Sequence, residues 1–185
     1  MIEKIREIVK KDCNCEEWNY HILSVVNYSK KLAKILEEDL EVVEICALLH
    51  DIGWIKLNDP KDHEITGQKI SEEILSKLNY SKEVIDEVKH CVESHRGNPK
   101  ILPKTKIAEI IRNADAMSHL DMVLLFFRWR SQKQSYEESF KWIYDKIERD
   151  WNKKITIPEA REMVRDKYIA LKKVLDNNRE LIDEN

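Results

Sequence analysis

The 185-residue chain contains few residues that break helices, with only three glycines and four prolines. An all-β fold needs many tight turns, and glycine and proline usually supply them. Their scarcity therefore argues against such a fold. Lys, Glu, Leu and Ile are abundant instead and favour helices. We expect an all-α fold.

The chain also lacks an excess of positive charge and any long apolar run. Its formal net charge is −3, whereas nucleic-acid binders usually carry a basic excess. We expect no nucleic-acid polymer as a partner, although a local positive site can still bind a small phosphorylated substrate. Apolar runs such as Met122–Phe127 are far shorter than the ~20 residues of a membrane span. The charged segment Met1–Lys11 does not resemble a signal peptide. We expect a soluble, cytoplasmic protein with no membrane partner, and the oligomeric state stays open.

Cysteine is scarce as well, with four residues in the chain. Cys46 and Cys91 fall in apolar helical patterns and are expected to be small buried residues. Cys13 and Cys15 form a lone C-x-C pair, and a zinc site would need two further ligands close by. We expect reduced thiols rather than disulfides.

The hydrophobic pattern predicts about seven or eight helices joined by short loops, within one domain over 1–185. A turn is expected at Gly53, a loop over Trp54–Asp62 and a break at Arg96–Pro99. Ser81 is a predicted N-cap and Pro158 a predicted first helical residue. The predicted helices cover approximately Ile2–Lys10, Glu17–Glu38, Glu41–Asp51, His63–Leu78, Lys82–His95, Thr105–Arg130, Ser135–Trp151 and Pro158–Ile182.

One predicted helix is apolar on nearly every side and still ends in two polar residues. The helix Glu41–Asp51 should be buried, and its last two residues are His50 and Asp51. A buried imidazole next to a buried carboxylate is unfavourable unless the two groups are paired or bind a metal.

Four more polar residues share helix faces with apolar residues and should point into the same interior: His21, His63, His95 and Asp115. His90 falls on the far side of its helix. A single inward histidine is usually a core residue, but six such groups favour a metal site between facing helices. Imidazole and carboxylate ligands suit Mn, Fe, Co, Ni or Zn, and Mg is possible.

These residues resemble a known pattern. The segment Ala47–Gly53 is similar to the signature of the HD-domain phosphohydrolase superfamily, which reads H…HD…D. His21, His50-Asp51 and Asp115 occupy those places in order. His63–Gly67 resembles the H-x-x-x-G element of members with two metals. The segments Val88–Arg96 and Ile111–Asp115 resemble the helices that follow, and the resemblance covers about Trp18–Leu125.

The resemblance implies an all-α helical bundle, with the HD-domain core at about 18–125 and C-terminal helices at 132–185 packing on it. It implies hydrolysis of a phosphoester or phosphoanhydride bond of a small substrate, often a nucleotide, by metal-activated water. One or two divalent ions would bind. The first would be held by His21, His50, Asp51 and Asp115, and the second by the bridging Asp51 with His63 and His95, or His90 as a substitute.

Three further candidates concern catalysis and phosphate binding. Asp51 is the candidate proton-transfer residue, and Arg96 and Lys56 are the candidate cations beside the phosphate. Two positions depart from relatives. Trp54 stands where the cyclic-dinucleotide branch has lysine, which argues against that substrate, and Asn113 stands where many relatives have aspartate.

Two other functions remain open from the sequence. The same six ligands occur in diiron oxygenases of this superfamily. A non-catalytic module that binds a metal or nucleotide for regulation is the second alternative. The helix over Ser135–Trp151 carries an aromatic stripe that is expected to pack in the core, and it could also roof a pocket.

Overall fold

The computed structural model describes residues 1–57, 63–96 and 100–183, with side chains as far as Arg179. All regular structure in these ranges is helical, which confirms the predicted all-α fold. The described elements are α1 (Ile2–Asp12), a first π-helical segment (Glu17–Ile22), α2 (Leu23–Leu36), α3 (Leu40–Leu49), α4 (Ile52–Leu57), α5 (His63–Lys77), α6 (Lys82–Ser94), α7 (Lys106–Asp121), α8 (Val123–Ser131), α9 (Tyr136–Arg149), a second π-helical segment (Asp150–Lys154) and α10 (Pro158–Asp183).

Helix α3 lies in the middle of the bundle, as its apolar sequence predicted. Every side chain from Val43 to Leu49 is buried, and each large apolar one contributes about 2 kcal/mol by leaving water. The charged residue among them, Glu44, is paired with Arg6 and Lys30. Because α3 is buried to its last turn, the residues that follow it, His50 and Asp51, enter the interior of the bundle.

Helix α7 is the second central element. Thr105 caps it by accepting the backbone N–H of Ala108, and nearly all of its residues are buried. It packs against α2, α3, α6, α10 and the second π-helical segment. Asp115 and His119, one turn apart, therefore both face the interior.

The turn predicted at Gly53 is wrong, because Gly53 lies inside helix α4, and Trp54–Leu57 are helical rather than a loop. The reason for glycine is a close helix contact. A Cβ at Gly53 would lie 2.0 Å from the backbone oxygen of His63 and 2.8 Å from the backbone nitrogen of Gly67. The rest of the predicted loop, 58–62, and the predicted break at 97–99 lie outside the described residues.

The long helix predicted over Thr105–Arg130 is instead two helices that meet at Met122. The backbone of Met122 leaves the helical region, and its N–H bonds to the carbonyl of His119, a tighter turn than the α-helical one. This break separates α7, which carries Asp115, from α8.

Two predicted helices contain π-helical turns at one end. Leu23 donates its backbone N–H to Trp18, and Ile155 donates to Asp150. Both bonds span five residues rather than four, which defines π-helical geometry. The first segment contains His21, and the second contains Asp150 and Lys154.

The C-terminal helices contact the rest of the bundle: α9 packs on α8, and α10 and the second π-helical segment pack on α7. Helix α10 begins at Pro158, and Ser81 caps α6, both as predicted. The centre of the aromatic stripe on α9 is core, because Phe140, Ile143 and Ile147 are buried.

The cysteines follow the prediction of free thiols. None of the four forms a disulfide bond, and Cys46 and Cys91 are buried. Cys13 and Cys15 belong to none of the metal-ligand groups found among the described residues. Within the same ranges, no helix has both the length and the apolar character needed to cross a membrane.

Candidate metal centre

Four of the predicted ligands converge from three parts of the bundle. His21 comes from the first π-helical segment, His50 and Asp51 follow α3, and Asp115 lies on α7. The Nε2 atom of His21 lies 3.1 Å from Nε2 of His50, 3.2 Å from Oδ2 of Asp51 and 3.7 Å from Oδ1 of Asp115. Nε2 of His50 lies 3.5 Å and 3.9 Å from the same two oxygens.

These separations fit a single metal ion. Ligand bonds of about 2.1 Å place neighbouring ligand atoms roughly 3.0–3.4 Å apart in octahedral or tetrahedral geometry. The observed range of 3.1–3.9 Å requires only a slight contraction. Two nitrogen and two oxygen donors are also a mixed set that divalent transition metals accept.

The other nitrogen of each imidazole fixes the direction of its lone pair. Nδ1 of His50 donates to the carbonyl of Ala47 at 2.7 Å, and Nδ1 of His21 lies 3.0 Å from the hydroxyl of Ser118. That hydroxyl donates to the carbonyl of Asp115, so it accepts from His21. The two Nε2 atoms thus face each other across 3.1 Å, and each offers its lone pair to a shared cation once its proton is lost.

A second group of ligands surrounds the other oxygen of Asp51. Oδ1 of Asp51 lies 3.0 Å from Nε2 of His95 and 3.6 Å from Nε2 of His63. Nδ1 of His95 donates to the carbonyl of Val92 at 2.7 Å, which again leaves Nε2 directed at the carboxylate. The two oxygens of Asp51 therefore face two neighbouring groups of histidines, the arrangement expected for a bridging ligand.

Two candidates from the sequence lie apart from these groups. His90 accepts the backbone N–H of Lys104 at Nε2 and belongs to neither ligand group. Lys56 pairs with Asp12 and does not line the cavity over the ligands. Helix α4, which replaced the predicted loop, directs Lys56 toward α1.

Arg96, the other phosphate-binding candidate, lines a cavity of about 540 Å³ that opens over the ligands. Its guanidinium pairs with Glu64 at 2.7 Å and is partly exposed. The described residues that line this cavity are Asp51, His63, Glu64, His95, Arg96, Asp115, His119, Lys146, Arg149, Asp150 and Lys154.

His119 was missed by sequence reasoning. Its Nε2 lies 3.2 Å from Oδ1 of Asp115, its Nδ1 donates to Asp150 at 2.8 Å, and its ring stacks on that of His21. The spacing of four residues between Asp115 and His119 puts both on one helix face, and that signal could have identified it.

The C-terminal part of the chain supplies the opposite wall of the cavity, which the sequence did not reveal. Lys146 pairs with Asp150 at 3.3 Å, and the buried Lys154 donates to Oδ2 of Asp115. Arg149 also lines this wall. These residues occupy the polar face of α9 and the second π-helical segment, so α9 both packs in the core and roofs the cavity.

Burial and neighbouring charges set the ionisation of the centre. Burial alone would raise the pKa of Asp51, but the imidazole of His50 and hydrogen bonds from the other histidines hold it well below its usual range. The pKa of Asp115 is likewise held low against its burial by His119 and Lys154. Burial lowers the pKa of His50 to about 4. Ionised carboxylates and a neutral imidazole are the forms that bind metals.

Comparison with known proteins agrees with the arrangement. A family model described as HD domain matches residues 19–120, which include all four converging ligands. Ribonuclease Y of Syntrophomonas wolfei is 33% identical over 100 residues, a match that covers 53% of this chain and 17% of that protein. The chain thus spans about a sixth of the length of this relative.

Solved structures match over nearly the whole chain. Bacillus subtilis YpgQ in complex with ADP is 19% identical and has a TM-score of 0.71. The match covers 100% of this chain and 94% of the YpgQ chain. A predicted HD superfamily hydrolase from an uncultured Thermotogales bacterium is 20% identical and has a TM-score of 0.64. The match covers 99% of this chain and 92% of the hydrolase chain. At this identity, the likeness establishes the shared fold.

Proposed function

Because the chain belongs to the HD domain superfamily of metal-dependent hydrolases, as its ordered histidines and aspartates predicted, we propose that it hydrolyses a phosphoester or phosphoanhydride bond of a small phosphorylated substrate. We propose a nucleotide as that substrate. His21, His50, Asp51 and Asp115 would hold the first divalent ion, and Asp51, His63 and His95 a second.

One observation carries this proposal: the ligand atoms meet at the edge of a cavity whose other wall is rich in cations. The lining includes four carboxylates and four basic side chains, whose formal charges cancel. A bound divalent ion would make this cavity positive by two charges and a second ion by four. A phosphorylated anion supplies the charge that balances such a site.

The residues of the cavity have separate roles in this proposal. A bound metal would supply a water of lowered pKa and polarise the phosphoryl group. Arg96 and Arg149 lie at the rim, where they can orient phosphate oxygens. Lys154 neutralises Asp115 from within the interior, and the ring of His119 bridges Asp115 at Nε2 and Asp150 at Nδ1.

A small substrate is favoured over a nucleic-acid polymer by the charge of the chain, −3 overall, since polymer binding requires an extended basic surface. The presence of ADP on the matching YpgQ fold supports a nucleotide. The relationship to Ribonuclease Y supports hydrolysis of a phosphate bond. RNA is therefore the alternative substrate that the test must compare with nucleotides.

The test combines metal analysis with a phosphate-release screen. The purified protein should contain a divalent metal, and removal of the metal should abolish turnover. Release of phosphate or pyrophosphate should be measured across nucleotides, sugar phosphates, pyrophosphate and a short RNA, with Mn, Co, Ni or Mg added. Absence of hydrolysis with every metal would contradict the proposal.

A second candidate function is oxygen chemistry at two iron ions, which the contact of both Asp51 oxygens with histidines favours. The cation-lined cavity favours hydrolysis instead, because an uncharged oxygenase substrate gives no reason for four basic groups. Oxygen consumption by the iron-loaded protein, with no phosphate release, would identify the oxygenase. Tight nucleotide binding without turnover would identify a regulatory module.

A further inference from the structure

A second cavity, of about 210 Å³, adjoins the metal ligands. Asp51, His119 and Lys146 line both cavities, so the two spaces meet at these residues. The larger cavity is polar and charged, whereas the smaller one is mainly aromatic. Its described lining residues are Glu17, His21, Asp51, Trp54, His119, Met122, Phe126, Trp129, Trp142 and Lys146.

The aromatic side chains come from separate elements and surround the small cavity. Trp54 belongs to α4, Phe126 and Trp129 to α8, and Trp142 to α9. Phe126 contacts both Trp129 and Trp142 edge to face, with ring centroids 6.1 Å and 5.6 Å apart. Phe126 is buried, while the three tryptophans are only half-buried. The guanidinium of Arg130 covers one face of Trp142, with its central carbon 4.5 Å from the ring centroid. Half-buried aromatic side chains beside a polar site are typical of a surface that contacts a ligand ring.

The small cavity has a hydrogen-bond acceptor of its own. Glu17 accepts the indole N–H of Trp54 at 2.7 Å, and burial raises the pKa of its carboxyl group. A carboxylate beside aromatic walls suits a flat ring that carries N–H donors. Sugars and inorganic phosphates have no such flat apolar face.

We propose that this aromatic cavity binds the base of a mononucleotide whose phosphate lies at the metal ligands. The inference rests on the proposed phosphohydrolase function and adds the place where the base of its substrate binds. The base would lie between the tryptophans, and the phosphate would extend past Lys146 into the cation-lined cavity. A cavity of about 210 Å³ holds a single ring system, so successive bases of an RNA strand would find no room there.

A matched pair of ligands isolates the base, because AMP and ribose 5-phosphate differ only in the adenine. Binding of each should be measured by calorimetry in the presence of Mn²⁺, for the intact chain and for Trp142→Leu. We expect the intact chain to bind AMP at least about tenfold more tightly than ribose 5-phosphate, since base stacking on one aromatic ring accounts for such a factor. Trp142→Leu should reduce this ratio about tenfold, and Trp142→Phe should retain most of it.

Trp151→Leu is the matched control. Trp151 is also half-buried, but it stacks on Tyr168 with ring centroids 4.1 Å apart and lines neither cavity. This variant should keep the full AMP to ribose 5-phosphate ratio. Circular dichroism of all variants shows whether a loss of binding reflects loss of the fold.

The outcomes separate this inference from the proposed function. Equal binding of AMP and ribose 5-phosphate, together with phosphate release, would overturn the base site and leave the phosphohydrolase intact. Binding and cleavage of a short RNA in strong preference to AMP would also overturn it. No phosphate release with any metal, despite AMP binding that depends on Trp142, would contradict the phosphohydrolase and leave the base site standing.

Discussion

Lys154, the last residue of the second π-helical segment, donates a hydrogen bond to Oδ2 of Asp115, a residue thirty-nine positions earlier in the chain. Both side chains are about 95% buried. The two oxygens of Asp115 are therefore divided, with Oδ1 toward the histidines and Oδ2 toward an ammonium group. The proposed ligand is held in place by a charge from the part of the chain beyond the region that resembles HD domains.

Replacement of Lys154 tests that contact. Lys154→Met keeps much of the side-chain volume but leaves Asp115 as a buried charge without its lysine. We expect the metal-free protein to lose about 3–5 kcal/mol of unfolding free energy, the usual cost of breaking a buried ion pair. Mn²⁺ should restore more stability to the variant than to the original chain, as judged by thermal melting. If Mn²⁺ raised the melting temperature of the variant and of the original chain equally, the role assigned to Lys154 would be contradicted.

Replacement of the ligands tests the metal centre. Asp115→Asn should lower bound metal and reduce turnover by more than about 100-fold, because the amide is a weaker ligand without charge. Metal content and phosphate release provide the measurements. Asp86→Asn, which changes an exposed carboxylate that pairs with Lys82, should leave both unchanged. Full activity of Asp115→Asn would show that the ligand assignment is wrong.

Gly53 and Gly67 both lie at the contact of α4 with α5, and alanine should destabilise the protein more at Gly53 than at Gly67. Gly53→Ala would place its Cβ against the backbone of His63, which cannot move without displacing α5, and should cost about 3 kcal/mol or more. Gly67→Ala meets a side-chain methyl group of Val92 at 2.9 Å and approaches backbone no closer than 3.3 Å, at the nitrogen of Gly53, so it should cost less, about 1 kcal/mol. Chemical denaturation measures both values. The reverse order would contradict the packing described for this contact.

The buried imidazole of His50 predicts a loss of stability in acid. Its pKa is lowered to about 4 in the folded protein from an ordinary value of 6.5, so between these values the unfolded chain binds more protons. The unfolding free energy of the metal-free protein should therefore fall by up to about 3 kcal/mol as pH decreases from 6.5 to 4. His50→Asn should show a shallower dependence over this window, and an equal slope in both proteins would contradict the effect.

That comparison is confined to pH 4–6.5 for a physical reason. Burial lowers the pKa of His21, but the hydrogen bond to Asp51 and the charges of the nearby carboxylates together raise it overall. Its contribution is complete below pH 6.5 and declines as the pH rises through its folded value. Above pH 6.5 the contribution of His50 no longer changes with pH, so a pH dependence in that range would include the opposite effect of His21.

Much of the fold could be predicted because helical periodicity is a local property. The buried helix α3 and the inward faces of His21, His63, His95 and Asp115 follow from residues within one or two turns of each other. His90, which the pattern placed on the far side of its helix, lies outside the ligand groups and accepts the backbone N–H of Lys104.

What the sequence did not reveal depends on contacts between distant elements. Gly53 was interpreted as a turn, because glycine usually breaks a helix, and the close approach of α5 is invisible without the fold. Lys146, Asp150 and Lys154 resemble surface charges in sequence, yet α9 and the second π-helical segment bring them over the metal ligands. The partner of Lys56, Asp12 on α1, could not be predicted from the sequence for the same reason.

The two π-helical segments make the geometry of the site sensitive to the number of residues that they contain. Each wide turn holds one residue more than an α-helical turn, so the side chains before and after it differ in angular phase. Deleting Ile22, between His21 and α2, would let the segment relax to α-helix and, with α2 unchanged, rotate His21 by about 100° away from His50. A one-residue deletion there would leave a folded bundle with an incomplete ligand set, whereas the same deletion within α2 would misalign its core.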